Sequence, residues 1–143
     1  MKLNTHFRRR RAFTLIEMLV VILILSILAA LIIPRLVSRT GDAKIAAAKS
    51  DIATLTSLLQ QYRVDNDHYP TTEEGLQALR VQPASAPNWK GPYLTKDVPQ
   101  DPWGNPYVYQ SPGPSGQDFQ IVSYGADGAP GGSGDDADVT SDQ

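Results

Sequence analysis

Two stretches of the sequence carry groups that could do chemistry. One is the run from Gly125 to Val139, in which Asp127, Asp135, Asp136 and Asp138 are interleaved with Gly128, Gly131, Gly132 and Gly134. Carboxylates among glycines suit a hard, oxygen-seeking cation, because the backbone can fold tightly enough for side-chain and carbonyl oxygens to converge. Calcium fits better than zinc, since there is no Cys and the only histidines are His6 and His68. The spacing does not follow the EF-hand loop. Residues 131–136 match the calcium nonapeptide repeat only once, and a solenoid needs several copies. On composition alone the stretch reads equally well as a solvated acidic tail.

The other is Glu17. From Phe13 to Ile33 every residue is apolar except Thr14, Glu17 and Ser26. A helix of roughly 20 such residues is long enough to cross a bilayer. A carboxylate inside it costs about 2.5–3.5 kcal/mol unless it finds a partner. Phe13 and Glu17 are i and i+4 and share a helix face. If the chain were cut after Ala12, the new amine on Phe13 of one copy could neutralise Glu17 of the next. A Glu17 that snorkels to the headgroups, or is protonated, is the plainer alternative.

The elements that must position these groups follow from the pattern. Arg8 to Arg11 precede the apolar run, so the positive-inside rule puts the N-terminus in the cytoplasm. An ordinary secretory signal is disfavoured by the length of the run and by Glu17 within it. Pro34 interrupts the intrahelical hydrogen bonding and makes a kink or soft point. Beyond Gly41, residues Ile45, Ala48, Ile52, Leu55, Leu59 and Tyr62 recur at spacings of three and four, a single apolar stripe. One helix is therefore expected from about Thr14 to about Asn66, closed off by Pro70. Thr71-Thr72-Glu73-Glu74 has the form of a capping box and predicts a short helix from Thr72 to about Arg80. Residues 107–110 and 118–123 read as two strands around a hairpin loop at 111–116. Laid on the stripe, that small antiparallel sheet would give an α+β fold with a loop-rich C-terminal region.

The string Phe13-Thr14-Leu15-Ile16-Glu17 behind a basic leader resembles the start of type IV pilins and type II secretion pseudopilins. The resemblance implies that a prepilin peptidase cuts between Ala12 and Phe13 and that Phe13 is then N-methylated. The family nearly always has Gly before the cut, and Ala12 is the next smallest residue. Tyr69-Pro70-Thr71-Thr72-Glu73-Glu74-Gly75-Leu76, Asp101-Pro102-Trp103-Gly104-Asn105-Pro106-Tyr107 and Ser123-Tyr124-Gly125-Ala126-Asp127-Gly128 extend the likeness to the major pseudopilins of type II secretion.

That resemblance implies three parts: a cleaved leader at 1–12, a transmembrane and filament-core helix segment at 13–33, and a periplasmic domain at 34–143. It implies a single-pass inner-membrane protein that polymerises with copies of itself. Its partners would be minor pseudopilins, an inner-membrane assembly platform and, before assembly, lipid. The filament would help drive folded proteins through an outer-membrane secretin. It also implies bound calcium, with Asp127, Asp135 and Asp138 as side-chain ligands, the Tyr124 carbonyl as a main-chain ligand and Asp136 as a weaker candidate. A pilin of a type IV fibre and a membrane-tethered calcium-binding domain are the competing readings.

Charge and motifs exclude other classes. Loss of residues 1–12 would remove five of 13 basic residues and none of 15 acids, leaving eight against fifteen, a net charge of −7. Nucleic acid needs a basic stripe and is not an expected partner. No nucleophile elbow, His-Glu-x-x-His pair or phosphate-binding loop is present, and Asp97, Asp101 and His68 have no diagnostic spacing, so no enzyme is expected.

Overall fold

A computed structural model describes residues 13–142, without the side chains of 30–39 and 115. Helical backbone runs from Leu15 to Asn66 (α1), within one residue of the expected start. The chain divides into two compact units between Ser38 and Arg39.

In the first unit the large apolar side chains from Phe13 to Leu28 are all exposed. The one hydroxyl in the middle of this stretch is satisfied locally, because Ser26 Oγ donates to the Ile22 carbonyl at 2.7 Å. Among the described residues no helix is long and apolar enough to cross a membrane. The expected span at 13–33 and the soft point at Pro34 extend into side chains outside the described residues, as does the leader at 1–12.

The second unit is built on the stripe. Ala48, Ile52, Leu55, Leu59 and Tyr62 are buried, and Ile45 packs beside them. Each fully buried Leu or Ile contributes about 1.5–3 kcal/mol relative to exposure. The helix stops where Asp67 takes a left-handed conformation, φ 65°, and its N–H donates to the Arg63 carbonyl at 2.8 Å. A single αL residue after the last turn is a common helix end.

Three antiparallel strands cover the stripe: β1 (Val108–Gln110), β2 (Gln120–Ser123) and β3 (Val139–Thr140), in the order β1-β2-β3. Tyr109 lies opposite Ile121, and Val122 opposite Thr140. Tyr107, Tyr109, Ile121 and Val139 complete the core with α1. The first two strands match the expected hairpin. The third was not anticipated, since Val139 sits at the end of an acidic run that read as loop or tail.

The expected helix after Pro70 is shorter and tighter than the pattern suggested. The capping box forms: Thr71 N–H donates to Glu74 Oε2 at 2.9 Å, and Glu74 N–H donates to Thr71 Oγ1 at 3.3 Å. Gly75 then turns left-handed, φ 59°, and only a 3-10 helix follows, Gly75–Leu79. Leu76 and Leu79 pack down as expected.

Candidate functional site

At the N-terminal end, Glu17 and Thr14 bracket the first turn. Glu17 N–H donates to Thr14 Oγ1 at 3.2 Å, and Thr14 N–H reaches back to Glu17 Oε2 at 3.5 Å. Within one chain, Glu17 thus closes a capping box on its own helix start. Thr14-x-x-Glu17 carries that signature in the sequence, where the apolar run around Glu17 draws attention to its charge instead. Phe13 is 71% exposed, one turn from Glu17. Ala12 lies outside the described residues.

The acidic stretch is folded. Ala126 N–H donates to the Asp135 carbonyl at 2.9 Å, which closes the loop. Gly131 N–H lies 3.1 and 3.0 Å from the two carboxylate oxygens of Asp138. Asp127 Oδ1 accepts from Ala129 N–H at 3.0 Å. Two glycines make the crossing possible. An added Cβ at Gly125, φ 66°, would lie 2.6 Å from the Asp135 carbonyl oxygen, and one at Gly132, φ 88°, would lie 2.4 Å from that of Asp136. The Asp135 carboxylate packs against α1 at Gly41, where an added Cβ would meet its Oδ1 at 1.8 Å.

The structure therefore brings Asp127 and Asp138 into one closed loop and lays the Asp135 side chain on the helix. Among the described residues no group of three or more His, Cys, Asp and Glu side chains is placed to hold a metal ion. The side-chain donors in this loop are the carboxylates of Asp127 and Asp138, each accepting a backbone N–H; carboxylate oxygen without Cys or His is the donor type of hard cations rather than of zinc.

A buried carboxylate holds the base of this loop. Asp101, 4% exposed, accepts from Trp103 N–H and Asn105 N–H through Oδ1 at 3.1 and 2.8 Å, and from Ser123 Oγ through Oδ2. Asn105 Nδ2 donates to the Gly125 carbonyl at 2.8 Å. Sequence reading saw the 101–107 turn and the 123–128 stretch as separate motifs, and their pairing is the part it missed. No local signal announces a contact between side chains 22 residues apart.

A second polar group fastens the 89–93 segment to the end of α1. Asp65 pairs with Lys90 at 2.9 Å and accepts from Tyr93 Oη at 2.9 Å. Those two hydrogen bonds hold the Asp65 carboxyl below its ordinary range.

A long helix laid across a three-stranded antiparallel sheet, with an exposed apolar start and a glutamate in its first turn, defines a pilin-like subunit. Residues 7–33 match the prokaryotic N-terminal methylation motif, and residues 35–142 match the family described as type II secretion system protein G. The chain belongs to that family: it is a major pseudopilin of type II secretion, a structural subunit and not an enzyme. It is 47% identical over 135 residues to the type II secretion system core protein G of Pseudomonas aeruginosa, covering 92% of this chain and 94% of the relative. The Aeromonas hydrophila protein of the same description is 48% identical over 128 residues, covering 87% and 88%. The crystal structure of the major pseudopilin from the type 2 secretion system of enterohaemorrhagic Escherichia coli superposes with a TM-score of 0.64 at 38% identity, covering 76% of this chain and 94% of that one.

Proposed function

We propose that the chain is cut between Ala12 and Phe13, that Phe13 is N-methylated, and that the product polymerises from the inner membrane into a periplasmic filament that helps move folded proteins through an outer-membrane secretin. The observation that carries this reading is the exposed apolar surface from Phe13 to Leu28, which holds one carboxylate, Glu17. Such a surface needs lipid before assembly and neighbouring helices after it. The capping box satisfies Glu17 in a single chain. In the filament the Phe13 amine of the adjacent copy replaces that weak 3.5 Å contact with an ion pair. Pro34 lets the helix loosen as the subunit leaves the bilayer. The matched methylation motif at 7–33 supports the processing step. Minor pseudopilins, the prepilin peptidase and an inner-membrane assembly platform are the partners this role requires. Calcium held by Asp127, Asp135 and Asp138 with the Tyr124 carbonyl, and more weakly by Asp136, fixes the 125–138 loop; Asp135 must swing from Gly41 to join it.

The test is the N-terminal mass of the purified protein together with filament assembly by Glu17→Ala. A mature chain starting at methylated Phe13, and a variant that no longer assembles, are expected. A chain that keeps Met1, or a variant that forms filaments at the normal rate, would overturn the reading.

A further inference from the structure

The β1–β2 ladder ends at a proline, and the residues there differ in what they do to two neighbouring carbonyls of the acidic loop. Ser141 N–H donates to the Ile121 carbonyl and Ile121 N–H donates to Ser141 Oγ, so the Ile121 backbone faces β3. Backbone groups alternate sides along a strand, and those of Gln120 and Val122 therefore face β1. The register that sets Val108 opposite Val122 continues to Pro106 opposite Tyr124 and Asn105 opposite Gly125. In an unbroken ladder the N–H of residue 106 would donate to the Tyr124 carbonyl. The Asn105 carbonyl accepts from Asp101 N–H at 2.8 Å on the other side, so the nitrogen of Pro106, antiparallel to it across the peptide plane, faces β2. Proline has no hydrogen there to give. Among the described residues no donor reaches the Tyr124 carbonyl.

The next carbonyl is treated in the opposite way. Asn105 Nδ2 donates to the Gly125 carbonyl at 2.8 Å, a side chain standing in for the ladder. Gly125 N–H leans on Ser123 Oγ at 3.4 Å, and Ala126 N–H donates to the Asp135 carbonyl at 2.9 Å. The peptide planes on both sides of Gly125 are thereby fixed, including the one that carries the Tyr124 oxygen. Asn105 and Ser123 in turn hang from one buried carboxylate, that of Asp101.

We propose that Asn105 and Pro106 select the main-chain oxygen that the 125–138 loop offers to calcium. Pro106 leaves the Tyr124 carbonyl without a competing donor, and Asn105 occupies the Gly125 carbonyl and holds its plane still. Both are positioning residues that act through the backbone of 124–125. The proposal rests on the calcium reading of this loop. A carbonyl that already accepts a hydrogen bond must give it up to coordinate a hard cation, whereas one that accepts none is ready.

Pro106 is exposed, so Pro106→Ala restores the missing N–H without touching the core. Calcium chloride is titrated calorimetrically into the full processed chain in detergent after chelation, and melting in chelator is measured alongside. Pro106→Ala should bind calcium about three- to tenfold more weakly, the effect of one competing hydrogen bond. Its melting point in chelator should change little, because the added ladder bond offsets the extra freedom of the unfolded chain. The new amide at 106 should be protected from exchange in chelator and lose that protection as calcium is added. Asn105→Ala should also weaken calcium binding, with a lower melting point in chelator. A substitution that mattered only to stability would shift melting equally with and without calcium and leave the affinity alone. Unchanged affinity in either variant, or an unprotected amide at 106 in chelator, would overturn this proposal and leave the calcium reading standing. No binding by the unsubstituted chain would overturn both.

Discussion

Ser123 Oγ donates to Asp101 Oδ2 at 2.5 Å, and both residues are buried, at 0% and 4% exposure. This bond joins the turn before β1 to the end of β2, at the point where the acidic loop leaves the sheet. Ser123→Ala should lower stability by about 1–3 kcal/mol, the usual consequence of stripping a donor from a buried charge. Asp101→Ala should be worse, since it orphans Trp103 N–H and Asn105 N–H as well. Thermal unfolding followed by tryptophan fluorescence would rank the two.

The tyrosines of the core should resist ionisation. Burial, opposed only in part by a bond involving Ser111, pushes Tyr109 up to about 12. Burial first, and then the bond from Tyr107 Oη to Asp51, push Tyr107 higher still. A group whose folded pKa is raised stabilises the fold fully below the unfolded value, and that stability is lost as pH rises towards the folded one. Stability should therefore decline above about pH 10, where free tyrosine titrates. Phenolate absorbance should appear in an early wave and a late one, the late one shrinking in Tyr107→Phe/Tyr109→Phe and not vanishing, because burial raises Tyr62 and Tyr93 as well.

Gly41→Ala should be destabilising by about 1–3 kcal/mol, the range for overpacking, because the new methyl would occupy the space of Asp135 Oδ1. Adding Asp135→Ala should recover part of the loss. A double-mutant cycle by thermal melting measures the coupling, and strict additivity would mean the contact is not maintained in solution.

Chelation should loosen the acidic loop. With calcium bound, the melting point of the full chain should be higher than with chelator present, and the difference should disappear in Asp127→Ala and in Asp138→Ala. An unchanged midpoint in the unsubstituted chain would remove calcium from the proposed function.

Thr71→Ala should cost about 1 kcal/mol, as loss of a capping side chain does. Glu74 would keep its bonds to Thr71 N–H and Ser85 Oγ, so the corner should weaken without opening.

Much of this fold was legible because it is written in local periodicity. The stripe from Ile45 to Tyr62 announced both the helix and the face it buries. Tyr107–Gln110 and Asp118–Ser123 announced the hairpin, and Thr71 and Glu74 announced their box. The misses share a cause. Gly75 turns left-handed, so a chain with good helical apolar spacing yields only a 3-10 turn, and spacing does not report a dihedral angle. Val139 enters the sheet because β2 has a free edge, and an acidic run shows nothing of the partner waiting for it. In the candidate site, composition marked the acidic, glycine-rich stretch from Gly125 to Val139 but not which of its carboxylates the fold brings together. The placement of Asp135 on Gly41, and the tie from Asp101 to Ser123, depend on contacts between residues far apart in sequence.

β3 also sets an order of events. The middle strand, β2, gains its second neighbour only from residues 139–140, and Ser141 closes the seam, donating N–H to the Ile121 carbonyl at 2.9 Å and accepting Ile121 N–H at 3.1 Å. A chain delivered from its N-terminal end must therefore emerge through Ser141 before the sheet is whole. Until then Ile121 has its other edge open and the place of Val139 in the core is empty, so the sheet and the core close together, once residues 139–141 are in place.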